Sequence, residues 1–596
     1  MTFSTIPEMF LNTTNTYADK YLYYYKKTDQ WIGLKGKDIK NVVSEISAAL
    51  KSLKIENQDK VAIMSNNSPR WAMSDYGILC SGNVTVTIYP TLVQSQVDYI
   101  INDSGSKLIF VENKIQMDKA IIAQKNCDDL KYIIVMNDTY NGENDKVMNF
   151  LDLLELGNKY INDNEYNFED IANTAKPKDL LTLIYTSGTT GTPKGVMLSH
   201  ENLCSNIIAT TTLVEFTDND ILLSFLPLSH VFERMGGHFS SFSRGCSTYY
   251  AEGIDRVADN MGEVKPTLML SVPRLYEKMH TGIIDKVKAG SALKQKIFYW
   301  SLDIGRKVSE YILSGKEIPG LLNFQHKIAT KLAFSKIHER VGGRLRFFIS
   351  GGAPLSQEIG EFFSSAGIQI MEGYGLTETS PVLTTNLPHQ FRFGTVGKPI
   401  TGVEIKIADD GEILAKGSNI MQGYYNDQKS TDKVLSKDGW FSTGDIGEFE
   451  DGFLKITDRK KNILVTSGGK NVAPAPLENS LATSTYIDQV LVIGHSKNFI
   501  SALIVPNFDI VNKYLSSINK AVSGNEAIVE HSDVVELINK EVENAMKDFS
   551  NYEKVKVFKL LSEPFSIDKG EMTPKMSIVR KVVMKNHHDI IESIYN

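Results

Sequence analysis

Apolar runs of strand length alternate with helix-like stretches from Gly36 to about Tyr250. One unit shows the pattern clearly. Lys60 to Ser65 (KVAIMS) predicts a buried strand, Pro69 to Cys80 a helix, and Gly82 to Ile88 (GNVTVTI) the next strand. Repeated β-α-β units of this kind are typical of a parallel sheet covered by helices on both faces. We therefore expect a large α/β body.

Two other patterns follow in the chain. Residues 289–340 contain lysine-rich amphipathic stretches, interrupted at Gly315 to Pro319, and these predict helices. After Gly394, short β-like runs alternate with Asp-Gly pairs, which are typical of tight hairpin turns, and this predicts a small β-rich lobe. The pairs are Asp410-Gly411, Asp438-Gly439 and Asp451-Gly452.

A polar run at residues 458–462 separates this lobe from a shorter α+β pattern. That pattern includes an amphipathic helix after Ser532, with apolar positions at Val534, Leu537, Ile538 and Val542. We place a domain boundary at the polar run. The predicted fold class is α/β, with a large N-terminal body of α/β sheet subdomains and a β-rich lobe at residues 1–458, and a smaller, mobile α+β C-terminal domain at residues 459–596.

The composition, 42% hydrophobic and 23% charged over 596 residues, is that of a globular protein. A net charge of −7 gives no overall basic field, so nucleic acid is not an expected partner. The four cysteines form no Cys-x-x-Cys pair, which favours a reducing cytoplasm over a zinc ribbon or a secreted cystine framework. Apolar runs stay below the ~20 residues of a spanning helix, so we expect no transmembrane segment. Peripheral contact with the inner face of a membrane stays open, and the oligomeric state is not indicated.

The strongest local motif, TSGTTGTPKG at residues 186–195, follows an apolar strand at Leu181 to Tyr185. Glycines let backbone N–H groups turn toward an anion, hydroxyls add donors, and Lys194 supplies a positive charge, which together favour a polyphosphate. The motif is not a Walker A loop, because Pro193 precedes Lys194 and Gly195 follows it. On composition alone, a flexible surface loop is the alternative.

Two further turns carry candidate nucleotide contacts. A strand at Leu345 to Ser350 leads into residues 351–354 (GGAP), where small side chains let a flat ring approach the backbone. A strand at Gly367 to Met371, which we expect to end there, leads into residues 372–379 (EGYGLTET). In this turn the candidates are Tyr374 to stack on a base, Thr377 to donate to a phosphate and Glu378 to hold Mg²⁺. A structural turn with a solvated glutamate is the alternative.

Together with residues 442–445 (STGD), these motifs resemble the adenylate-forming superfamily of acyl-CoA synthetases, luciferases and peptide-synthetase adenylation domains. The resemblance is collinear over roughly residues 15 to 590. Residues 227–234 (PLSHVFER), the helical insert before Gly351 and residues 458–462 (DRKKN) are similar to the long-chain fatty acid–CoA ligase branch. The resemblance implies that a carboxylate attacks the α-phosphate of MgATP, giving acyl-AMP and pyrophosphate, before the thiol of coenzyme A displaces AMP.

The resemblance also implies nucleotide contacts, position by position. The residues expected at the β- and γ-phosphates are Thr186, Ser187, Gly188, Thr189, Thr190, Gly191 and Lys194. Those expected around the adenine are Gly351, Gly352, Ala353, Pro354, Gly373 and Tyr374, with Gly375 grouped beside them. Further expectations are Thr377 at the α-phosphate, Glu378 at the metal, Asp445 at the ribose hydroxyls, and Arg459 at the ribose or a phosphate. For Asp445 and Arg459 the alternative is an ordinary ion pair near a hairpin.

Other positions concern the acyl site and a domain movement. His230 corresponds to the boundary between the nucleotide and acyl sites, where it would shift a proton or gate the acyl tunnel, and a packed histidine is the alternative. Arg274 is expected near the tunnel or in an exposed ion pair. Lys461 matches the hinge about which the C-terminal domain rotates, and Gly468 and Gly469 would border the coenzyme A channel. A charged surface linker is the alternative for Lys461.

One position departs from the family's pattern. Where relatives carry a catalytic lysine, this chain has Ser577, so we expect Lys575 to replace it, with Lys581 as a second candidate. A lysine there would bridge the carboxylate and the α-phosphate as negative charge builds. The expected catalytic residues are Thr186, Lys194, His230, Thr377, Glu378 and Lys575.

The leading hypothesis is an ATP- and Mg²⁺-dependent long-chain fatty acid–CoA ligase, with fatty acid, ATP and coenzyme A as small-molecule substrates. One alternative in the same superfamily loads acyl-AMP onto a carrier protein or uses another carboxylic acid. An alternative of another class is a non-catalytic acyl- or nucleotide-binding relative, which the intact phosphate motif, Glu378 and Asp445 disfavour.

Overall fold

Two large sheets form the N-terminal body in the computed structural model, which describes residues 2–137, 146–187, 193–573 and 577–595. The described strands of the first sheet number eight and are parallel except at the end that carries the phosphate motif. In spatial order they are Gly423–Tyr424, Pro193–Ser199, Leu180–Ser187, Val84–Ile88, Lys60–Met64, Leu108–Val111, Tyr132–Val135 and Val147–Asn149. The predicted α/β class is confirmed.

The second sheet has a parallel centre with antiparallel pairs at both ends. Its nine described strands, in spatial order, are Lys398–Pro399, Val382–Thr385, Gln369–Gly375, Phe347–Ser350, Leu268–Ser271, Ile221–Ser224, Ser247–Tyr250, Tyr21–Lys27 and Gln30–Lys35. Because the strands Phe347–Ser350 and Gln369–Gly375 are parallel neighbours, the two predicted nucleotide turns leave the same edge of this sheet.

Helices join these strands in the predicted β-α-β order. The unit Lys60–Met64, Pro69–Cys80 and Val84–Ile88 is confirmed, and its strands are parallel. Its helix begins at the predicted residue because the Ser68 hydroxyl accepts the Trp71 N–H at 3.1 Å, and Pro69 needs no N–H partner there. The other described helices before the insert are Ile6–Thr16, Gly36–Ser52, Gln94–Ser104, Lys114–Asn126, Phe150–Asp163, Phe168–Ala172, His200–Leu213, the π-helix Glu233–Ser240, Ser241–Ser243, the 3₁₀ turn Ile254–Arg256, Val257–Val264 and Pro273–Lys288.

A fully buried ion pair couples the two sheets. Nε and Nη2 of Arg234 lie 2.8 and 2.5 Å from the carboxylate oxygens of Asp75, on helix Pro69–Cys80. Two hydroxyls of the first sheet complete the network, because Thr85 donates to Asp75 and Thr182 accepts from Nη1 of Arg234, each at 2.7 Å. Arg234 itself belongs to the π-helix that packs on the second sheet.

Residues 289–340, hereafter the insert, form helices as predicted. They are Ala292–Leu313, Gly320–Ala329, the π-helical turn Thr330–Phe334 and Ser335–Arg340, with the predicted break between the first two. The first of these helices sits tightly on helix Gln357–Ser365. A Cβ on Gly305 would lie 1.9 Å from the Ser365 carbonyl oxygen, and the Ser309 and Ser364 hydroxyl oxygens are 2.6 Å apart.

The predicted β-rich lobe is confirmed as a four-stranded antiparallel sheet in the described residues. Its strands are Val403–Ile407, Glu412–Gly417, Phe441–Glu450 and Phe453–Arg459. The Asp-Gly pairs at 410–411 and 451–452 form two of its turns, and their glycines have φ near +80°. A short helix, Gln428–Val434, precedes the third strand.

The C-terminal residues have the predicted α+β pattern. The strands are Leu464–Val465 and Asn471–Val472 in one pair, and Ile487–Ile493, Ile500–Pro506 and Val555–Leu560 in a second sheet. The helices are Pro474–Leu481, Phe508–Ser517, Asn525–Glu530, Ser532–Ala545, Arg580–Asn586 and His588–Tyr595. Helix Ser532–Ala545 buries Val534, Ile538 and Val542, as its apolar spacing predicts. Across the described ranges, none of the helices is both long enough and apolar enough to cross a membrane.

The substitution Asp75→Asn tests the coupling of the two sheets. It leaves the buried Arg234 charge without its counter-charge, so we expect destabilisation of about 3–5 kcal/mol, seen as a lower urea midpoint. The matched control is Asp118→Asn, which removes the exposed pair with Lys114 and is expected to cost less than about 0.5 kcal/mol. Equal midpoints for the two variants would contradict the coupling.

Glu233 provides a test by pH. It is buried, its carboxylate accepts the Ser224 hydroxyl at 2.6 Å, and burial raises its pKa to about 8. The folded protein therefore holds a proton that the unfolded chain releases, so raising the pH from about 5 to 8 should lower stability by up to ~1.4 kcal/mol per unit. Glu233→Gln should remove the contribution of Glu233 to the pH dependence of the unfolding free energy in urea titrations, whereas exposed Glu201→Gln should leave that dependence unchanged.

Candidate active site

A hairpin between strands Leu180–Ser187 and Pro193–Ser199 carries the predicted phosphate motif. Thr186 and Lys194 lie opposite each other in this pair, one position before the last paired residues, Ser187 and Pro193. Residues 188–192, with the predicted contacts Gly188, Thr189, Thr190 and Gly191, lie outside the described residues, as does the side chain of Ser187. The structure therefore places the two sides of the motif, a hydroxyl on one strand and an ammonium on the other.

Lys194 is held by residues that the sequence motifs did not include. Its Nζ donates to the Ser430 hydroxyl at 2.6 Å and lies 4.9 Å from the centre of the Tyr424 ring. The Asp427 carboxylate is 4.0 Å away, and Asp427 also caps helix Gln428–Val434 through the Ser430 N–H. These contacts fix the ammonium at the edge of the lobe, with a quarter of its side chain exposed.

Tyr424 connects this lysine to the predicted metal ligand. The Tyr424 hydroxyl donates to Glu378 Oε1 at 2.9 Å, and burial together with that carboxylate raises the Tyr424 pKa. A backbone hydrogen bond joins the same two segments, because the Met421 N–H donates to the Glu378 carbonyl at 2.9 Å. Lys194 and Glu378, distant in sequence, are thus joined through one aromatic ring.

The strand before Glu378 is longer than predicted. The expectation that it ends at Met371 was wrong, because residues 373–375 pair with strand Val382–Thr385 and extend it to Gly375. A Cβ on Gly375 would lie 1.7 Å from the Pro381 carbonyl oxygen, so this close pairing requires glycine. Gly373 is also paired here, and buried Thr377 begins the 3₁₀ turn Thr377–Thr379 that carries Glu378.

The Tyr374 side chain points to the predicted ribose ligand. Its hydroxyl donates to Asp445 Oδ2 at 2.7 Å, so this tyrosine is held by its polar end against the lobe. Asp445 is buried and faces Arg459 across the strand pair, with Nε of Arg459 3.3 Å from Oδ1. Burial raises the pKa of Asp445, and Arg459 and the Tyr374 hydroxyl oppose that rise. Arg459 leaves 65% of its side chain exposed.

Residues 351–354 form an open turn beside these groups. Gly351 is buried, and its N–H donates to the Ser271 carbonyl at 3.3 Å, whereas Gly352, Ala353 and Pro354 are exposed. Gly352 has φ +80°, which favours glycine. Three of the four small residues of this turn are therefore exposed, and their contact with an adenine ring stays a prediction.

Glu372 is a site neighbour that the sequence analysis did not single out. It is buried beside the open turn, it accepts a hydrogen bond from the Leu355 backbone, and burial raises its pKa to about 8. Its register partner is Ser350, the last residue before the turn. The sequence does contain a signal for this residue, because Glu372 directly follows an apolar strand. An acidic side chain buried there must be hydrogen-bonded, paired with a cation or protonated.

His230 lies close to the same turn. It is half-buried at the start of the π-helix segment, and its Nδ1 accepts the Phe232 N–H at 3.3 Å. Phe232 in turn packs on Gly351, where a Cβ would lie 3.1 Å from the ring. Phe232 thus contacts both His230, through its backbone N–H, and Gly351, through its ring.

Arg274 contacts the C-terminal domain, and this contact was missing from the sequence analysis. Its Nη1 donates to the Asp488 carbonyl at 2.6 Å, and its Nη2 contacts the Asp488 carboxylate. Near the predicted hinge, buried Asp458 accepts the Ala475 N–H at 2.9 Å, while Lys461 is exposed. Gly468 and Gly469 lie in the exposed turn of the pair Leu464–Val465 and Asn471–Val472.

The predicted lysine loop is described only at its ends. Lys575 lies outside the described residues. The described residues on either side of it pair with each other, because the Thr573 N–H donates to the Ser577 carbonyl at 2.8 Å and Met572 bridges to Ile578. Lys581 is exposed on helix Arg580–Asn586.

Comparisons with known proteins agree with this architecture. Residues 10–425 match the AMP-binding enzyme family, and residues 461–596 match the AMP-binding enzyme C-terminal domain. A long-chain-fatty-acid–CoA ligase of Mycobacterium bovis is 34% identical and covers 97% of this chain and 94% of its own. A long-chain-fatty-acid–CoA ligase of Homo sapiens is 30% identical and covers 99% and 92%.

Solved structures share the fold. The adenylation domain of a carboxylate reductase from Mycobacterium chelonae has a TM-score of 0.76 at 21% identity and covers 99% of this chain and 91% of its own. An O-succinylbenzoate coenzyme A synthetase from Bacillus subtilis, solved with AMP, has a TM-score of 0.65 at 18% identity and covers 96% and 97%. The predicted superfamily is confirmed, and the chain belongs to the AMP-binding enzyme family.

Proposed function

We propose that this chain uses ATP to convert a long-chain fatty acid to acyl-AMP and then transfers the acyl group to coenzyme A. Family membership and the names of relatives that span nearly the whole chain support the proposal. The observation that carries it is the bridge from Lys194 through Tyr424 to Glu378, next to the Tyr374–Asp445 pair. Groups suited to phosphates thereby adjoin groups suited to a ribose.

The chemistry asks for positioning and charge neutralisation. In the first step, a carboxylate oxygen of the acid attacks the α-phosphorus of ATP, the bond to the bridging oxygen breaks, and its electron pair leaves with pyrophosphate. In the second step, the deprotonated sulfur of coenzyme A attacks the acyl carbon, and AMP leaves. The substrates supply both nucleophiles, so the protein needs cations, donors and a fixed geometry.

Lys194 and Thr186 are the described groups suited to the outer phosphates. The ammonium is held by a hydroxyl and an aromatic face, so phosphate oxygens would be stronger partners than its present ones. The hydroxyl of Thr186 lies on the opposite strand of the same hairpin. Residues 187–191 would add hydroxyl and backbone donors between them.

Glu378 fits a Mg²⁺ site of the kind that nucleotides complete. Magnesium is usually held by one or two carboxylates together with substrate phosphates and water. No cluster of three or more ligating side chains occurs in the described residues, which suits a metal held mainly by ATP oxygens. Tyr424 occupies one oxygen of half-buried Glu378, and the second would face the cation. When bound, Mg²⁺ would neutralise charge on the phosphates.

The nucleoside would lie along the Tyr374 side of the site. Asp445 would accept the ribose hydroxyls, with Tyr374 and Arg459 holding its carboxylate in place. The adenine would rest on the open turn at residues 351–354, which Glu372 anchors through the Leu355 backbone. His230, whose neighbour Phe232 packs on Gly351 of that turn, would then border the acyl side, and Thr377 the α-phosphate.

The C-terminal domain would supply the remaining groups. Lys575 would reach the carboxylate and the α-phosphate during adenylation, and Gly468 and Gly469 would border coenzyme A after a rotation about Lys461. Residues 459–596 would then act as a mobile cap over the body at residues 1–458.

Pyrophosphate release tests the proposed reaction. With ATP and Mg²⁺, we expect release to increase with the chain length of the fatty acid, and acyl-CoA to form only when coenzyme A is present. Release without any CoA-dependent thioester would favour loading of a carrier protein. No release with any acid would favour a non-catalytic binding protein.

A matched pair of lysine variants makes this assay specific to the site. Lys194→Ala should lower kcat/KM for ATP by about 10–100-fold, because it removes a charge that faces the phosphates. Lys433→Ala, an exposed lysine on the adjoining helix Gln428–Val434, should change it little.

Lys575→Ala tests the replacement of the family's lysine. We expect acyl-AMP formation to slow by at least about 100-fold, because a charge that opposes the transition state's negative charge is lost. Thioester formation from supplied acyl-AMP should persist, because that step occurs after the α-phosphate reaction. Lys581→Ala is the control, and the assignment fails if it slows adenylation while Lys575→Ala does not.

A further inference from the structure

Exposed apolar side chains concentrate on the insert. Among the described residues, 24 large apolar side chains are strongly exposed, and eight of them fall within the 40 residues 293–332. Single exposed apolar residues are ordinary on a protein surface, but a local concentration of this kind marks a surface that contacts something else.

Four of these side chains form a stripe. Leu321, Phe324, Ile328 and Leu332, hereafter the insert stripe, are 73%, 62%, 37% and 50% exposed. They lie on helix Gly320–Ala329 and the π-helical turn that continues it, at spacings of three, four and four residues. Such spacing places them on one helix face. An adjoining flank, about 100° around the helix, meets the body through Leu322 and Ala329, so the stripe is not part of the core.

The neighbouring helix adds residues with the same character. Leu293, Tyr299, Trp300 and Ile312 on helix Ala292–Leu313 are 68%, 46%, 37% and 56% exposed. Tyrosine and tryptophan are enriched where proteins meet the polar boundary of a bilayer, because their rings are apolar and each carries a polar group.

The charge of the insert opposes that of the whole chain. Residues 289–340 contain nine lysines and arginines against four aspartates and glutamates, whereas the chain carries a net charge of −7. Exposed Lys327 and Lys331 lie on the same helical segment as the stripe, beside Phe324 and Ile328. An apolar stripe with adjacent lysines is the pattern of a helix that lies in the interface of an anionic bilayer.

A protein partner fits these observations less well. A second copy of this chain would bring one basic insert against another, and like charges oppose that contact. The stripe is also a convex helix face, whereas helix recognition by proteins usually pairs an apolar helix face with a complementary groove. A lipid surface needs no matching shape and attracts the lysines.

We propose that the insert docks on an anionic lipid bilayer, with the insert stripe in the headgroup region and the lysines against lipid phosphates. The insert is seated on helix Gln357–Ser365, which follows the open turn at residues 351–354. Docking would therefore hold the body, and the candidate site in it, at a fixed orientation to the bilayer. With respect to substrate delivery, the proposal rests on the proposed function, because a long-chain acid partitions into such a bilayer.

Vesicle co-sedimentation of the full chain tests the docking. We expect binding to vesicles of phosphatidylcholine with phosphatidylglycerol, and much weaker binding to phosphatidylcholine alone or at high salt. Leu321→Ser with Phe324→Ser should weaken binding about tenfold or more, because two apolar side chains no longer enter the lipid. Lys327→Glu with Lys331→Glu should also weaken binding about tenfold or more on the anionic vesicles.

Matched controls separate the insert from general surface effects. Ile115→Ser with Leu151→Ser changes two side chains of similar exposure, 65% and 54%, elsewhere on the body. Lys125→Glu with Lys159→Glu makes the same charge change at two other exposed lysines. Both controls should bind vesicles as the unchanged protein does, and all four variants should keep its urea midpoint because the residues are exposed.

Three outcomes would overturn the proposal. They are absence of vesicle binding, equal binding by the stripe variant and the unchanged protein, and a dimer without lipid that the stripe variant abolishes. Failure of the docking proposal can be distinguished from failure of the proposed function. The stripe variant should release pyrophosphate normally with an acid in aqueous solution, and only release from vesicle-held acid should fall.

Discussion

The buried pair of Arg234 and Asp75 determines how the two sheets of the body meet. The guanidinium reaches Asp75 on one helix and Thr182 on the strand that ends in the phosphate motif. Arg234 also follows His230 by one helical turn, and its N–H donates to the His230 carbonyl. The segment that carries His230 and the hairpin that carries the phosphate motif are therefore both held by Arg234. Either charge, buried without its partner, would strongly destabilise the fold. The elements that carry Arg234, Asp75 and Thr182 must therefore keep the relative positions that allow these contacts.

Around that fixed point, the candidate site is assembled from three pieces of chain. The hairpin brings Lys194, the second sheet brings Tyr374 and Glu378, and the lobe brings Asp445. Two tyrosines join the pieces, because Tyr424 lies between Lys194 and Glu378 and Tyr374 reaches Asp445. A chain of net charge −7 that handles ATP and coenzyme A needs such local cations and donors. The basic insert is a second local exception to the overall charge, on the outside of the body.

In the described residues, polar contacts connect the C-terminal domain to the body. Arg274 binds Asp488, and on the hinge side Asp458 holds the start of helix Pro474–Leu481 through Ala475. Polar contacts between domains are compatible with relative motion, since water can replace them at little cost. Relative motion of the two domains suits the proposed reaction, because its two steps release different leaving groups, pyrophosphate and then AMP.

The sequence by itself determined the fold class, the β-α-β order, the helical insert, the β-rich lobe and the family, because periodicity and turn residues are local properties. It also named the turns that adjoin one another at the candidate site, since motif glycines and hydroxyls are local as well. The tertiary structure alone decided that Tyr424 and Ser430 hold Lys194, that Arg274 meets Asp488, and that strand Gln369–Gly375 continues to Gly375. These depend on pairing between segments far apart in sequence, such as residues 373–375 with Val382–Thr385 and Gly423–Tyr424 with Pro193–Ser199, which no local pattern encodes.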